Sequence, residues 1–396
     1  MPKALIVGAG IGGLAAAVAL RRAGWDVRVF ERASSPRELG FALLLAPNAM
    51  HALGELGLAD TARNGGFITT NGEMRRPDGT VLRRLDTASV RALLDEDTVC
   101  VLRPVLHGAL LDAVGAAAIE LDAAVIGFRF GDGKDQSRGP AGAPSGGVQL
   151  RLADGRTVNG QMLVGADGVA SAIRKQLHPR EPAPRPSGLL AVRGVARDVE
   201  SHLGSSSGAQ YFGRGFEAGV ARAGGRAVYW YMSVKARHVP EPRDAAAVAS
   251  QYAAEFHEPF RAIVRETAPE DLRLDELLER DPISPWGDGP VTLLGDAAHP
   301  MLPHAGQGAA QALEDAVVLG SVIREVSDES QIQEALRRYE RLRLPRTRAV
   351  VALAKRNARM GAVDNPFACW MRDQIIRFVP RRVILKSLVA LGRPPR

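Results

Sequence analysis

Three groups of residues in this chain have the types and spacing to do chemistry. The first is Gly8-Ala9-Gly10-Ile11-Gly12-Gly13, with Glu31-Arg32 downstream. Gly8, Gly10 and Gly13 fit G-x-G-x-x-G. In that pattern the first glycine permits a tight turn and the second admits a pyrophosphate to the backbone. The third lets helix and strand pack closely. A helix opening there offers free N–H groups and the positive end of its dipole to phosphate. Glu31 follows about 20 residues on, where a carboxylate accepts bonds from ribose hydroxyls. This pattern predicts dinucleotide binding and does not choose between a flavin and a nicotinamide.

The other two groups are Asp167-Gly168-Val169-Ala170-Ser171-Ala172-Ile173-Arg174 and Gly295-Asp296-Ala297-Ala298-His299-Pro300, which runs on to Pro303, Gly306, Gly308 and Ala309. Asp296 follows an apolar strand, so its carboxylate belongs at a strand's C-terminal end, in reach of ribityl hydroxyls. Gly306 and Gly308 open a helix whose N-terminus can abut a flat ring and stabilise negative charge on a reduced flavin. Together the groups point to FAD. His299 reads as structural.

These residues need elements to place them. The apolar run 3–7, a helix over 14–23 and a strand over 27–31 make a βαβ opening. Helical periodicity returns at 49–56 and 106–114. Between them, alternation over 72–85 around Pro77-Asp78-Gly79 predicts a hairpin. The Gly-, Pro- and Ser-rich stretch 131–147 reads as a long mobile hairpin loop. Strands are expected at 189–196, 209–212, 216–221 and 227–234, one helix over 245–266, a strand at 291–294 and a long helix near 329–343. The fold class is α/β: a discontinuous Rossmann-like FAD-binding domain (1–71, 101–184 and 286–396, with C-terminal helices) and an inserted β-sheet substrate domain (72–100 and 185–285).

The sequence resembles the single-component flavin aromatic hydroxylases, the para-hydroxybenzoate hydroxylase-like family, and is most like its salicylate hydroxylase and zeaxanthin epoxidase branch. The resemblance rests on the glycine fingerprint, on D-G-x-x-S-x-x-R at 167–174 and on G-D-A-A-H-P…P-x-x-G-Q-G at 295–308. It implies an FAD monooxygenase that uses NADH or NADPH as a transient co-substrate and O2 to hydroxylate or epoxidise a small to medium aromatic through a flavin hydroperoxide. By the same resemblance Asp167 serves FAD, Arg103 lies near the pyrophosphate, Val125 meets the adenine, and Pro303 lies against the flavin where oxygen reacts. Many relatives carry a glycine two residues after Gly40; here that residue is Ala42. Only one full G-x-G-x-x-G is present, in keeping with transient binding of the nicotinamide.

Substrate-side candidates lie in the inserted strands: Arg193, Tyr211, Arg222, Tyr229, Trp230 and Tyr231. Alternation puts Tyr229 and Tyr231 on one face and Trp230 on the other. His304, beside Pro303, joins Arg193 and Tyr211 as a candidate for contact with the reacting groups. Two other readings of the same fold stay open: a flavin reductase or halogenase, although 229–234 lacks W-x-W-x-I-P, and a non-catalytic binder of metabolites or lipids.

The net charge is +7, carried almost wholly by scattered arginines, so no nucleic-acid stripe forms. A positive field favours anionic cofactors. Cys100 and Cys369 lack metal-like spacing, and no metal site is expected. The chain enters its first strand without a signal-peptide pattern, which suggests a cytoplasmic protein, monomer or homodimer. The tail 370–391 interleaves basic and apolar residues, and Pro380 should break it into two helices. Such helices commonly pack on their own domain; the other reading is a membrane-surface segment.

Overall fold

A computed structural model describes residues 1–35, 41–131 and 147–394. Gly40, and the loop expected at 131–147 apart from its end residues, lie outside the described residues. Strand Lys3–Val7 is apolar throughout its last four positions because both its faces are covered. It pairs in parallel with Asp26–Phe30 on one side and Met162–Gly165 on the other. Val291–Leu293 and Ile119–Glu120 complete a five-stranded parallel sheet.

Two helices carry the glycine motifs. Helix Ile11–Arg22 is rich in alanine on its buried side, and helix Gly308–Arg324 packs along it. A Cβ on Gly320 would come within 2.8 Å of the Ala19 Cβ, so small residues set how closely the two helices lie. That contact brings the starts of both helices to the same end of the parallel sheet.

The second layer is a seven-stranded sheet, here called the roof. Its order is Leu272–Glu279, Arg185–Arg197, Ala227–Lys235, Phe216–Arg222, Gly208–Phe212, Asn71–Arg75 and Val81–Asp86. One face carries its own helices, Ala245–Ala253 and Glu258–Arg265, over a core of Phe216, Trp230, Phe256 and Phe260. The other face turns toward the parallel-sheet layer, where Leu189, Ala191 and Leu277 pack against Leu302, Ala354 and Ala358.

The hairpin at Asn71–Arg75 and Val81–Asp86 has the expected turn. Gly79 takes φ 89° and Asp78 accepts the Thr80 N–H at 2.8 Å. Three readings need correction. The single helix expected over 245–266 is two helices, because Pro259 sits in the first turn of a new one. The helix expected to end near Arg343 runs from Ile332 to Gly361 through Pro345. Burial of Thr347, Val350, Val351 and Ala354 outweighs the hydrogen bond that proline removes. Strand Leu272–Glu279 was missed, since as an edge strand it carries charge rather than clean alternation. The tail does break at Pro380, into Pro366–Phe378 and Arg381–Gly392.

Candidate active site: a dinucleotide cradle beneath an aromatic roof

The glycine fingerprint divides its labour. Gly8 has φ 102°, and a Cβ there would stand 2.5 Å from the Ala166 carbonyl oxygen. A Cβ on Gly13 would stand 2.0 Å from the Gly8 carbonyl oxygen. Gly12 faces inward, against Leu294 and Ala312, so it serves packing. Gly10 is different: a Cβ built there meets nothing within 4 Å. The same is true of Gly306, at φ 60°, and of Gly308. Helices Ile11–Arg22 and Gly308–Arg324 both start without a side-chain cap. Two sets of unclaimed N–H donors therefore border space open to a ligand, and positive dipole ends suit a phosphate or a reduced ring.

The polar groups around this cradle fit a flavin nucleotide. Glu31 accepts N–H bonds from Ala9 at 2.8 Å and Ala33 at 2.9 Å, which fixes it under the glycine turn; Arg32 beside it is exposed. His107 bonds the Ala9 carbonyl at 2.7 Å. Asp296 is open to water, yet enough protein surrounds it for burial to raise its carboxyl, against the pull of His299 and Arg103. Burial likewise lowers the Arg103 guanidinium, which Asp296 opposes. Arg103 also feels Arg193 and Arg273, so residues far apart in sequence form one positive patch suited to a pyrophosphate. Val125 opens strand Val125–Phe130, and Ala309 lies in the first turn of its helix.

The middle motif acts as a clamp. Asp167 accepts bonds from the Ser171 hydroxyl at 2.5 Å and the Ala172 N–H at 2.7 Å. Arg174, fully buried, donates to the carbonyls of Ala297 and Ala298, both at 3.0 Å, and to Glu181. The second motif thus holds the third.

A model of the FAD binding domain matches residues 1–354. The chain belongs to this FAD-binding family. It is 36% identical over 377 residues to the aurachin C monooxygenase/isomerase of Stigmatella aurantiaca, covering 95% of this chain and 94% of that one. It is 32% identical over 361 residues to 3-hydroxybenzoate 6-hydroxylase 1 of Aquipseudomonas alcaligenes, covering 87% and 86%. Klebsiella pneumoniae HpxO, solved with FAD and uric acid, superposes with a TM-score of 0.88 at 26% identity, covering 99% of this chain and 96% of that one. The protein is an FAD-dependent aromatic monooxygenase, and the three-motif reading of the cofactor holds.

Above the cradle of this monooxygenase, strand alternation decides which candidates face inward. Arg193 pairs with Tyr231 across the roof, and Val195 with Tyr229. The Tyr229 and Tyr231 rings stack at 6.3 Å, and Phe41 lies 6.4 Å from Tyr229. Arg193 sits 4.6 Å over the Phe41 ring and is ion-paired with Asp275. Gly219 makes room for this wall, since a Cβ there would come within 2.3 Å of Tyr231.

Three candidates lie elsewhere. Tyr211 and Trp230 fall on the helix-covered face. Tyr211 bonds His257 at 3.0 Å and meets Phe260 edge-on. Trp230 donates to the Thr267 hydroxyl at 2.8 Å and is fully buried. Arg222 is spent on the carbonyls of Ser206, Glu200 and Gly204. Period-2 alternation separated Tyr229 and Tyr231 from Trp230, but which face was inward depended on where the helices docked.

Pro303 is exposed at the start of the turn Pro303–Ala305, whereas His304 is buried against the roof, its Nε2 3.0 Å from the Ser233 hydroxyl. Its neighbour Glu217 was not foreseen. This carboxyl is 1% exposed, lies 3.8 Å from His304 Nε2 and stands beside the Tyr231 phenol. Burial pushes Glu217 up to about 8, offset only in part by Tyr231 and Arg372. Burial pulls His304 down to about 4. Burial thus favours the uncharged form of both groups, beside a Tyr231 phenol that burial raises well above its usual range.

A second network was also missed. Fully buried Arg343 binds Asp315 at 2.7 Å and Glu314 at 2.5 Å. Asp315 in turn holds His299 at 2.5 Å and the Gly295 N–H at 3.0 Å. Burial would raise Asp315, but His299 and Arg343 outweigh it and hold it at about 2. Glu314 reaches Asn48 at 2.6 Å, and Asn48 reaches Gln307 at 3.0 Å. The loop bearing Asp296 and the helix start at Gly308 are therefore fixed from behind. No sequence pattern marks this network; only its depth in the fold does.

Proposed function

We propose that the enzyme hydroxylates a small to medium aromatic ring held between the Pro303–Gly308 turn and the wall of Phe41, Tyr229 and Tyr231, with NADH or NADPH as the electron donor. FAD, when bound, supplies reduction by the nicotinamide and activation of oxygen. Gly10, Glu31, Arg103, Asp296 and the N-termini at Ile11 and Gly308 hold it, with Arg32, Val125, Asp167 and Ala309 lining its path. Pro303 borders the reacting edge and presents no hydrogen-bond donor there.

The observation that carries the choice of substrate is the stacked tyrosine pair, with Arg193 opposite Tyr231. Two aromatic faces offer edge and stacking contacts to a ring. Arg193 shares Asp275 with Arg273 and lies over Phe41, so the rings stand beside a patch with more cations than acids. A hydroxylated aromatic or heteroaromatic ring, with or without a carboxylate, therefore fits. Tyr231 can hydrogen-bond such a hydroxyl, with Glu217 and His304 packed behind it.

The test is NADH or NADPH consumption across a panel of phenols, heteroaromatics and aromatic acids, with mass analysis of products. Hydroxylated rings should stimulate consumption and yield a product heavier by one oxygen. Failure of every ring-containing compound to stimulate would overturn the substrate class.

A further inference from the structure

Helix Pro366–Phe378 is turned inside out. Its buried side carries Arg372 and Asp373, which pair with each other at 3.0 Å. Arg372 also donates to the carbonyl of Gly213 at 2.9 Å, and Asp373 accepts from Arg76 at 2.7 Å. Arg83 closes the far end, on the carbonyls of Ile376 and Arg377. The helix is thus firmly docked through polar groups. Its outward side is apolar: Phe367 is 70% exposed, Trp370 50%, Ile375 60% and Phe378 73%. With Met371 these residues recur at helical spacing and form one stripe. Phe367 and Trp370 stack at 5.8 Å.

An exposed stripe of this kind marks a contact surface. Its chemistry selects the occupant. Arg377 is exposed on the same helix, Arg382 and Lys386 are exposed on the helix that follows, and no acidic residue follows Asp373 in the chain. A two-fold contact with a second copy would bring these cations against their own kind. An anionic bilayer offers the opposite charge for the cations and an acyl boundary for the aromatic rings. No helix among the described residues is long and apolar enough to cross a membrane, so the helix would lie in the interface.

We propose that the outward face of Pro366–Phe378, with the basic residues that follow it, docks the enzyme onto the surface of an anionic lipid bilayer. The experiment is co-sedimentation of the FAD-loaded enzyme with phosphatidylcholine vesicles, with and without phosphatidylglycerol. Binding is expected to need phosphatidylglycerol and to weaken as salt is added. Trp370→Ser combined with Phe378→Ser should weaken binding by about tenfold or more, leaving flavin content and melting temperature unchanged. Arg377→Gln, Arg382→Gln and Lys386→Gln together should abolish the preference for phosphatidylglycerol. Absence of vesicle binding, or equal binding by the serine variant, would overturn the proposal. So would a dimer in light scattering that the serine variant converts to monomer, since the stripe would then belong to a second copy.

Discussion

Glu217 and His304 meet as two groups that burial deprives of charge in opposite ways. A carboxyl held at about 8 keeps its proton in the folded chain, while the unfolded chain releases it near the ordinary value of 4.5. Between those values unfolding gives up a proton, so Glu217 makes stability fall as pH rises. His304, lowered from 6.5 to about 4, works in the opposite sense below its ordinary value. The Glu217 effect is therefore isolated between pH 6.5 and about 8. Glu217→Gln keeps the shape and cannot ionise. Its unfolding free energy should gain on that of the unaltered protein across this window, by an amount on the order of 1–2 kcal/mol, read by denaturant titration. Parallel pH profiles for the two proteins would remove the assigned protonation state.

At the scale of elements, the glycine motifs are useful only because their helices are aimed. Helix Gly308–Arg324 is aimed by Arg343, which reaches it from the long helix Ile332–Gly361. Removing this cation leaves Glu314 and Asp315 buried with less compensation, and breaking such a pair costs about 3–5 kcal/mol. Arg343→Ala should therefore lower the melting temperature sharply. It should also weaken FAD binding, since Asp315 would no longer fix the Gly295 turn. A variant that melts normally would show that Arg346, which also reaches Glu314 at 2.6 Å, suffices alone.

For the whole molecule, the residues proposed to hold FAD, Gly10, Arg103 and Asp296, belong to segments that the chain keeps far apart. A ligand that binds only the folded state stabilises it by mass action. Added FAD should raise the melting temperature of stripped protein in proportion to the logarithm of its concentration. Asp296→Ala removes a charged acceptor and should weaken FAD binding by about 10- to 100-fold, with the concentration dependence displaced to match. A full flavin complement in that variant would contradict the role given to Asp296.

Local signals made the cradle legible. Gly8, Gly10 and Gly13 between a strand and a helix report backbone constraints that hold wherever the chain puts them. Asp296 after an apolar strand does the same, as does the turn at Asp78-Gly79. Alternation in 227–235 separated Tyr229 and Tyr231 from Trp230, because side chains of a strand must point to opposite faces.

Tertiary structure alone decided the rest. Tyr211 and Trp230 went to the helix-covered core because Phe256 and Phe260 dock on that side. Glu217 lost its charge, and Arg343 found its acids, only on burial among partners remote in sequence. The stripe from Phe367 to Phe378 faces outward because Arg372 and Asp373 bind inward. Backbone geometry and periodicity are properties of neighbours in the chain, so the sequence determined the cofactor and the glycine turns of the cradle. Burial, dielectric surroundings and exposed face depend on what packs against a residue, and only the assembled layers determine these.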